Sequence, residues 1–402
     1  MRTHWLIGTL VVACLLSALA LATAEEAQGP PAVEVHGWSL TRYYVRTTVD
    51  ATQDSSGVIT DEEKDSHLEW ERFSLSGKAR LSNAKEVYGE VYIHPWLVND
   101  HPSFLYLESL YIDIPAAPGA KVRIGKGRSN AFGIVPAYGS RKTSNYSPLA
   151  ESFTMDRALG IQYLQQRGND SVAFGIFNSQ RPNLRLIGHA ADSQIDRGSV
   201  PWTTVMHLTD RDSPAKRSGN LEVSARLGRQ MSDLDLGISG RTGALDADDA
   251  AFLAGKFPTY NGTNRTRMRY GLDATYKRMP FYGTFEYYGG TIGGIRQSGY
   301  AILLGVEPSK KCTGIWREMS GACKGLFVRY VNLDMGTPPV VNNTFTWDTE
   351  QLAVSYVLPL RCKYLPLAKW LQFEYERNKE DVPAGADEIP NNMFFVELFS
   401  AF

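Results

Sequence analysis

The stretch Met393-Phe394-Phe395-Val396-Glu397-Leu398-Phe399-Ser400-Ala401-Phe402 decides the fold. Counting back from Phe402, every second position (Leu398, Val396, Phe394) is apolar, with Ser400 the one small exception. Glu397 falls on the opposite parity. A period of two is the signature of a strand. A face this apolar needs an apolar neighbour along its whole length. One setting is a buried strand of a soluble sheet. The other is the closing strand of a membrane barrel, whose outer face meets hydrocarbon and whose aromatics sit at the interface.

The beginning of the chain speaks for export. Arg2, the apolar run from Trp5 to Leu21, and Ala22-Thr23-Ala24 ahead of Glu25-Glu26 read as a signal peptide over residues 1–24. Around Cys14 the apolar core is too short for a lipoprotein leader. After residue 24 no stretch approaches the roughly twenty apolar residues of a membrane helix. Residues 25–402 show no Pro/Ser-rich linker and no break in composition, so a single domain is expected. A net charge of -1 argues against a nucleic-acid partner. The 36 glycines and the 11% aromatic content suit strands and turns better than helices.

About sixteen alternating segments follow one another from Val33–Arg46 to the closing stretch. Leu221, Val223, Ala225 and Leu227 oppose Glu222, Ser224 and Arg226; Tyr270, Leu272, Ala274 and Tyr276 oppose Asp273, Thr275 and Lys277. The clearest breaks are the first segment and Phe104–Ile114, where Glu108 falls on the apolar parity. Short turns such as 82–85, 116–119 and 230–233 alternate with long polar loops at 47–67, 127–157, 179–220 and 243–267. Through the first eleven segments this rhythm is strict. A soluble sandwich has no reason to keep it, whereas a membrane barrel has one short-loop side and one long-loop side. The fold expected is therefore an all-β, transmembrane antiparallel barrel of about sixteen strands, wide enough for an aqueous channel. It would lie in the outer membrane of a diderm bacterium, with short turns periplasmic and long loops extracellular.

Such a lumen would carry a basic wall of Arg72, Lys78, Arg80, Lys121 and Arg123 from the early strands. Asp235, Asp273, Glu286, Glu374, Glu376 and Glu397 would form an acidic wall from later ones. Opposed walls set up a transverse field that orients polar solutes; local pairing with strand neighbours is the competing arrangement. Loop 127–157 is the candidate for an inward-folded constriction, with Arg128, Arg141, Lys142, Glu151 and Asp156. The alternatives are an ordinary solvated loop, or 179–220 folding inward instead. Cys312 and Cys323, in a long connection on the short-turn side, suit a local disulfide in an oxidising compartment. Cys362 stands alone, and no histidine lies near enough to suggest a metal site.

Enzyme motifs are missing. Neither Gly-x-Ser-x-Gly nor His-Glu-x-x-His occurs. His189 and His207 share a loop with Asp192, Ser193 and Asp196, a grouping more typical of solvated residues than of a triad. Gly125-Lys126-Gly127 lacks the rest of a phosphate-binding loop. No cofactor is expected.

Several short motifs carry a family resemblance: Glu71-Arg72-Phe73, Gly77-Lys78-Ala79-Arg80-Leu81, Leu110-Tyr111-Ile112-Asp113 and Val122-Arg123-Ile124-Gly125-Lys126. Phe132-Gly133, Asp156-Arg157-Ala158-Leu159-Gly160-Ile161-Gln162 and Phe373-Glu374-Tyr375-Glu376-Arg377-Asn378 continue it. Together they resemble the phosphate-selective porin O and P family, over about residues 70–165 and the last thirty. The resemblance implies a sixteen-stranded, trimeric, anion-preferring porin with inward-folded loops. It departs where cations here mix with as many carboxylates instead of forming a dense arginine ladder. The function expected is passive diffusion of small hydrophilic solutes with a mild preference for anions, phosphate or other oxyanions among them. A barrel sheath for an envelope complex such as a porin–cytochrome conduit, and a barrel-borne hydrolase, are the alternatives.

Overall fold

A computed structural model describes residues 33–46, 50–53, 59–62, 65–81, 85–93, 105–135, 142–154, 157–179, 181–186, 194–196, 206–211, 220–257, 259–307, 325–336, 348–360, 366–381, 384–385, 387–388 and 392–402. The leader 1–24, Arg141, Asp156 and all four cysteines, including the Cys312–Cys323 pair, lie outside the described residues.

Sixteen antiparallel strands close into one barrel. In chain order they are β1 (Val33–Arg46), β2 (Asp65–Arg80), β3 (Glu86–Ile93), β4 (Leu105–Ala117), β5 (Ala120–Arg128), β6 (Arg157–Arg167), β7 (Asp170–Asn178) and β8 (Leu221–Met231). Then come β9 (Leu234–Ala244), β10 (Thr266–Arg278), β11 (Phe281–Ile292), β12 (Ile295–Val306), β13 (Gly325–Asp334), β14 (Thr349–Pro359), β15 (Ala368–Glu380) and β16 (Met393–Ala401). Each strand pairs with its neighbour in sequence. The ring closes where β16 meets β1, in register from Trp38 opposite Ala401 to Arg46 opposite Met393.

Alternation sorts the side chains. Leu221, Val223 and Leu227 of β8, and Tyr270, Leu272 and Tyr276 of β10, are exposed on the outside, whereas Glu222, Ser224, Arg269 and Asp273 are buried on the inside. An apolar band this continuous around a closed ring is the surface a bilayer covers. The break at Glu108 is a bulge, and a second bulge lies on β2, opposite the first segment. Glu90 pairs Ser109 while Val91 pairs Leu107, which leaves Glu108 as the extra residue and turns it inward. Leu40 pairs Arg72 while Thr41 pairs Trp70, so Glu71 is extra and both Glu71 and Arg72 are buried.

Other features depart from the sequence reading. Arg267, assigned there to a loop, lies in β10, and β11 and β12 are joined by just the two residues Gly293 and Gly294. Both glycines have positive φ (64° and 90°), which a two-residue hairpin turn requires and non-glycine residues resist. Long loops also carry short strands: Asp50–Gln53 pairs with Ile59–Glu62 and, in parallel, with Gln194–Asp196.

Among the described residues two helices interrupt the strands, α1 (Pro148–Phe153) and α2 (Ala247–Lys256). In α2 the Asp246 carboxylate accepts from the Asp249 backbone N–H at 2.7 Å, and Asp249 reaches back, a reciprocal cap. Its Leu253 and the following Phe257 pack on Ile292, Ile295 and Met335, a small core at the long-loop end. Burial, and then the adjacent Asp246 carboxylate, push the Asp249 carboxyl up to about 6. The folded helix therefore holds that proton more tightly than an unfolded chain does, and stability of this segment falls as pH rises from about 4 through about 6. Hydrogen exchange of the α2 amides, corrected for intrinsic rate, is expected to be slower at pH 5 than at pH 7. Asp249→Asn should abolish that difference.

Candidate functional site: the barrel lumen

The inner face of the barrel is polar, and residues 129–135 and 142–154, between β5 and β6, lie against it. After β5 the backbone crosses to β8–β11: Ser224 donates to the Ala131 carbonyl at 2.6 Å, the Gly133 N–H donates to Ser239 Oγ at 3.2 Å, and the Ile134 N–H donates to the Tyr288 hydroxyl oxygen at 3.0 Å. Gly133 has φ 60°, and a Cβ there would stand 2.6 Å from the Tyr288 oxygen, so only glycine takes this corner. The later part of the loop reaches β13–β15. There the Ser144 N–H donates to Glu374 Oε2 at 2.7 Å and the Asn145 side chain to Glu376 Oε2 at 3.1 Å. Arg329 donates to the Asn145 carbonyl at 2.7 Å and to Thr143, while its other branch holds Gln351 at 2.7 Å and Glu376 at 3.0 Å. Lys142 pairs with Glu307. Capped by Ser147, α1 buries Leu149 and Phe153 against Phe132, Tyr288, Val331 and Leu333.

The five early cations all have partners close at hand. Lys78 meets Glu86 at 2.9 Å, and Arg80 meets Glu86 at 3.4 Å and Glu34 at 3.9 Å. Lys121 and Arg123 share Asp113 at 2.7 and 2.8 Å, and Arg72 contacts Glu71 at 3.4 Å. Arg128 and Arg157 converge on the bulged Glu108. Oppositely charged neighbours at these distances largely cancel each other's far field. Among the acidic residues, Asp273 is bridged by Arg226, Glu376 by Arg329, and Glu286 accepts from the Tyr288 hydroxyl at 2.9 Å. Glu397 pairs with Arg42 at 2.9 Å across the closing seam. Glu151 sits in the first turn of α1.

Three buried arginines on β9 and β10 were not among the pore-lining candidates read from the sequence. Arg241, Arg267 and Arg269 are at most 3% exposed. Glu222 takes Arg267 at 2.8 Å and Arg241 at 3.5 Å, and Arg269 donates to the Phe153 carbonyl of α1. The alternation Arg267-Met268-Arg269 was the available signal. It lay at a strand end that the polar loop obscured.

Beneath residues 130–135, on the short-turn side, the lumen opens into a cavity of about 690 Å³ between β4–β10 and the loop. Arg226, Asp235, Asp273, Thr275, Lys277 and Lys121 contribute to its walls.

No protein-family model matches the chain, and neither does any curated protein by sequence. Its architecture is similar to that of an anion-selective porin from Comamonas acidovorans, at 13% identity, with 93% of this chain and 100% of that one covered and a TM-score of 0.55. It is also similar to Salmonella typhi OmpF in complex with daunomycin, at 9% identity, 92% and 97% coverage and a TM-score of 0.57. The outer membrane channel DcaP of Acinetobacter baumannii aligns at 10% identity, 94% and 99% coverage and a TM-score of 0.56. The fold is that of bacterial outer-membrane porins. At these identities the likeness concerns architecture: a closed, multi-pass, sixteen-stranded barrel of the outer-membrane type.

Proposed function

We propose that this chain is a porin of a diderm outer membrane that lets small hydrophilic solutes diffuse passively, without catalysis or cofactor. The observation that carries the reading is the polar inner face narrowed by one hydrogen-bonded loop, inside a barrel whose outer face is apolar. That combination suits a water-filled passage with an eyelet; Lys142 and Glu151 fall on the inserted loop that would form it, and Arg128 ends the strand from which the loop departs. A weak preference for small anions is supported by strands β8–β10. Their inner face carries Arg226, Arg241, Arg267, Arg269 and Lys277 against Glu222, Asp235 and Asp273. The balance of charge on β1–β5 favours general oxyanion passage over a dedicated phosphate site. A homotrimer, as the family resemblance implies, is the assembly we infer.

The test is planar-bilayer conductance of the purified protein under a salt gradient. Stable ohmic steps with a reversal potential displaced toward the anion value are expected. A correctly folded barrel that passes no current would overturn the porin reading.

A further inference from the structure

We propose that the cavity beneath the inserted loop is a binding station for small zwitterions, free α-amino acids being the simplest, on the assumption that the barrel is a porin. A volume of about 690 Å³ is that of a small-molecule site, and it leaves room for a solute with several waters. The fixed charges in it divide into two kinds. Arg226 lies across β9 and donates to both Asp273 carboxylate oxygens through Nε and Nη2. It can do so because position 237 is glycine, where a Cβ would come 2.3 Å from the guanidinium and 2.5 Å from the carboxylate. Lys121 is likewise held by Asp113. These groups are spent on one another.

Asp235 and Lys277 are different. Both are exposed to the cavity, and among the described residues neither forms an ion pair. Asp235 stands opposite Thr275, so Lys277 is its diagonal neighbour on the same face of the adjoining strand. Diagonal positions are about 7–8 Å apart, near enough to act on one molecule. A solute carrying an ammonium and a carboxylate on one carbon satisfies both groups at once, whereas a simple anion or cation satisfies one and is repelled by the other. Among the described residues the cavity walls contain no aromatic ring, which disfavours a ligand recognised by stacking. Two solvent-exposed charge contacts give weak binding. Millimolar affinity is therefore expected, as suits a solute in transit.

Single-channel recordings of the full chain at about 0.1 M salt, where screening is moderate, test this. The probes are glutamine, acetate and ethylammonium, each added on the short-turn side. Glutamine at millimolar concentration is expected to produce resolvable current fluctuations, and acetate and ethylammonium at the same concentration several-fold fewer. Asp235→Asn and Lys277→Gln should each weaken the glutamine effect several-fold, and Lys369→Gln, a charge removed elsewhere on the short-turn side, should leave it intact. Heat-modifiable gel mobility verifies that each variant is folded. Lys277→Glu, a charge reversal at an exposed site, gives a second reading of the same position. Equal fluctuations from acetate and glutamine, or a glutamine effect that survives both neutralising variants, would overturn the proposal. A barrel without ohmic steps would sink the porin reading itself, whereas ohmic steps indifferent to glutamine sink only this inference.

Discussion

Arg329→Ala is expected to detach the inserted loop from the wall of β13–β15 and raise single-channel conductance while the barrel stays closed. Arg329 is 5% exposed and spends its guanidinium on four groups at once: the Thr143 hydroxyl and Asn145 carbonyl of the loop, and Gln351 and Glu376 of the wall. Glu376 is fully buried, and removing its cation strands a charge in a site water does not reach. Breaking a buried pair from one side costs about 3–5 kcal/mol. The barrel's own strands do not depend on this contact, but residues 142–145 do. Among the described residues their remaining ties to this wall include the Ser144 N–H on Glu374, the Asn145 amide on Glu376, the Lys142 carbonyl accepting from Gln372 and the Lys142 ammonium over the Phe327 ring at 5.3 Å. With Arg329 gone, Glu376 loses the guanidinium that ties it to the loop, and the arrangement beside it that holds Ser144 on Glu374 is weakened. The checks are conductance, open-channel noise and hydrogen exchange of residues 142–154. Arg329→Lys should restore charge without the fork and fall between wild type and alanine, because an ammonium cannot bridge four acceptors in a plane. Wild-type conductance together with wild-type loop protection in the alanine variant would show that the loop is held elsewhere.

The outside of the barrel was legible in the sequence because lipid imposes a rule at every second residue. Leu221-x-Val223 and Tyr270-x-Leu272 announced their strands, and all sixteen alternating segments correspond to strands of the ring. Even the failures of the rule were informative. Glu108 on the apolar parity marked a bulge, although where the extra residue falls depends on the register of β3 against β4, which no local pattern contains. The inside obeys no such rule. Arg329 finds Glu376 47 residues away, and Ser144 finds Glu374 230 residues away, so these partners become visible only after the ring has closed. Arg72, Lys78, Arg80, Lys121 and Arg123 stand out in the sequence because they cluster. The carboxylates that meet them, Glu34, Glu71, Glu86 and Asp113, are scattered over three other short stretches and one bulge. Apolar burial is a property of one residue and its periodicity; charge compensation is a property of pairs.

Breaking the pair at the closing seam is expected to have a comparable effect on the barrel itself, and an unequal one from its two ends. Arg42 of β1 faces Glu397 of β16 directly in register, with Nη2 at 2.9 Å and Nε at 3.2 Å from one carboxylate oxygen, and both side chains are at most 3% exposed. Phe395 lies beneath the guanidinium at 4.7 Å, and next to the pair Trp38, Phe399 and Trp370 stack across the same junction. Removing either charged group should cost about 3–5 kcal/mol. The asymmetry follows from Glu71 and Glu69, whose negative charge also acts on Arg42. Glu397→Ala leaves the cation in the company of these two carboxylates. Arg42→Ala leaves three carboxylates without it, and is expected to be the more damaging. Replacing both, as Arg42→Met with Glu397→Leu, should be milder than Arg42→Ala, since Glu397 is then no longer a buried charge stranded opposite a neutral partner, although Glu71 and Glu69 still lose the cation. Guanidinium unfolding in detergent, followed by heat-modifiable mobility, measures the order. If Glu397→Ala proves as harmful as Arg42→Ala, the neighbouring carboxylates do not share the cation, and the seam is held by its one ion pair and the aromatic stack alone.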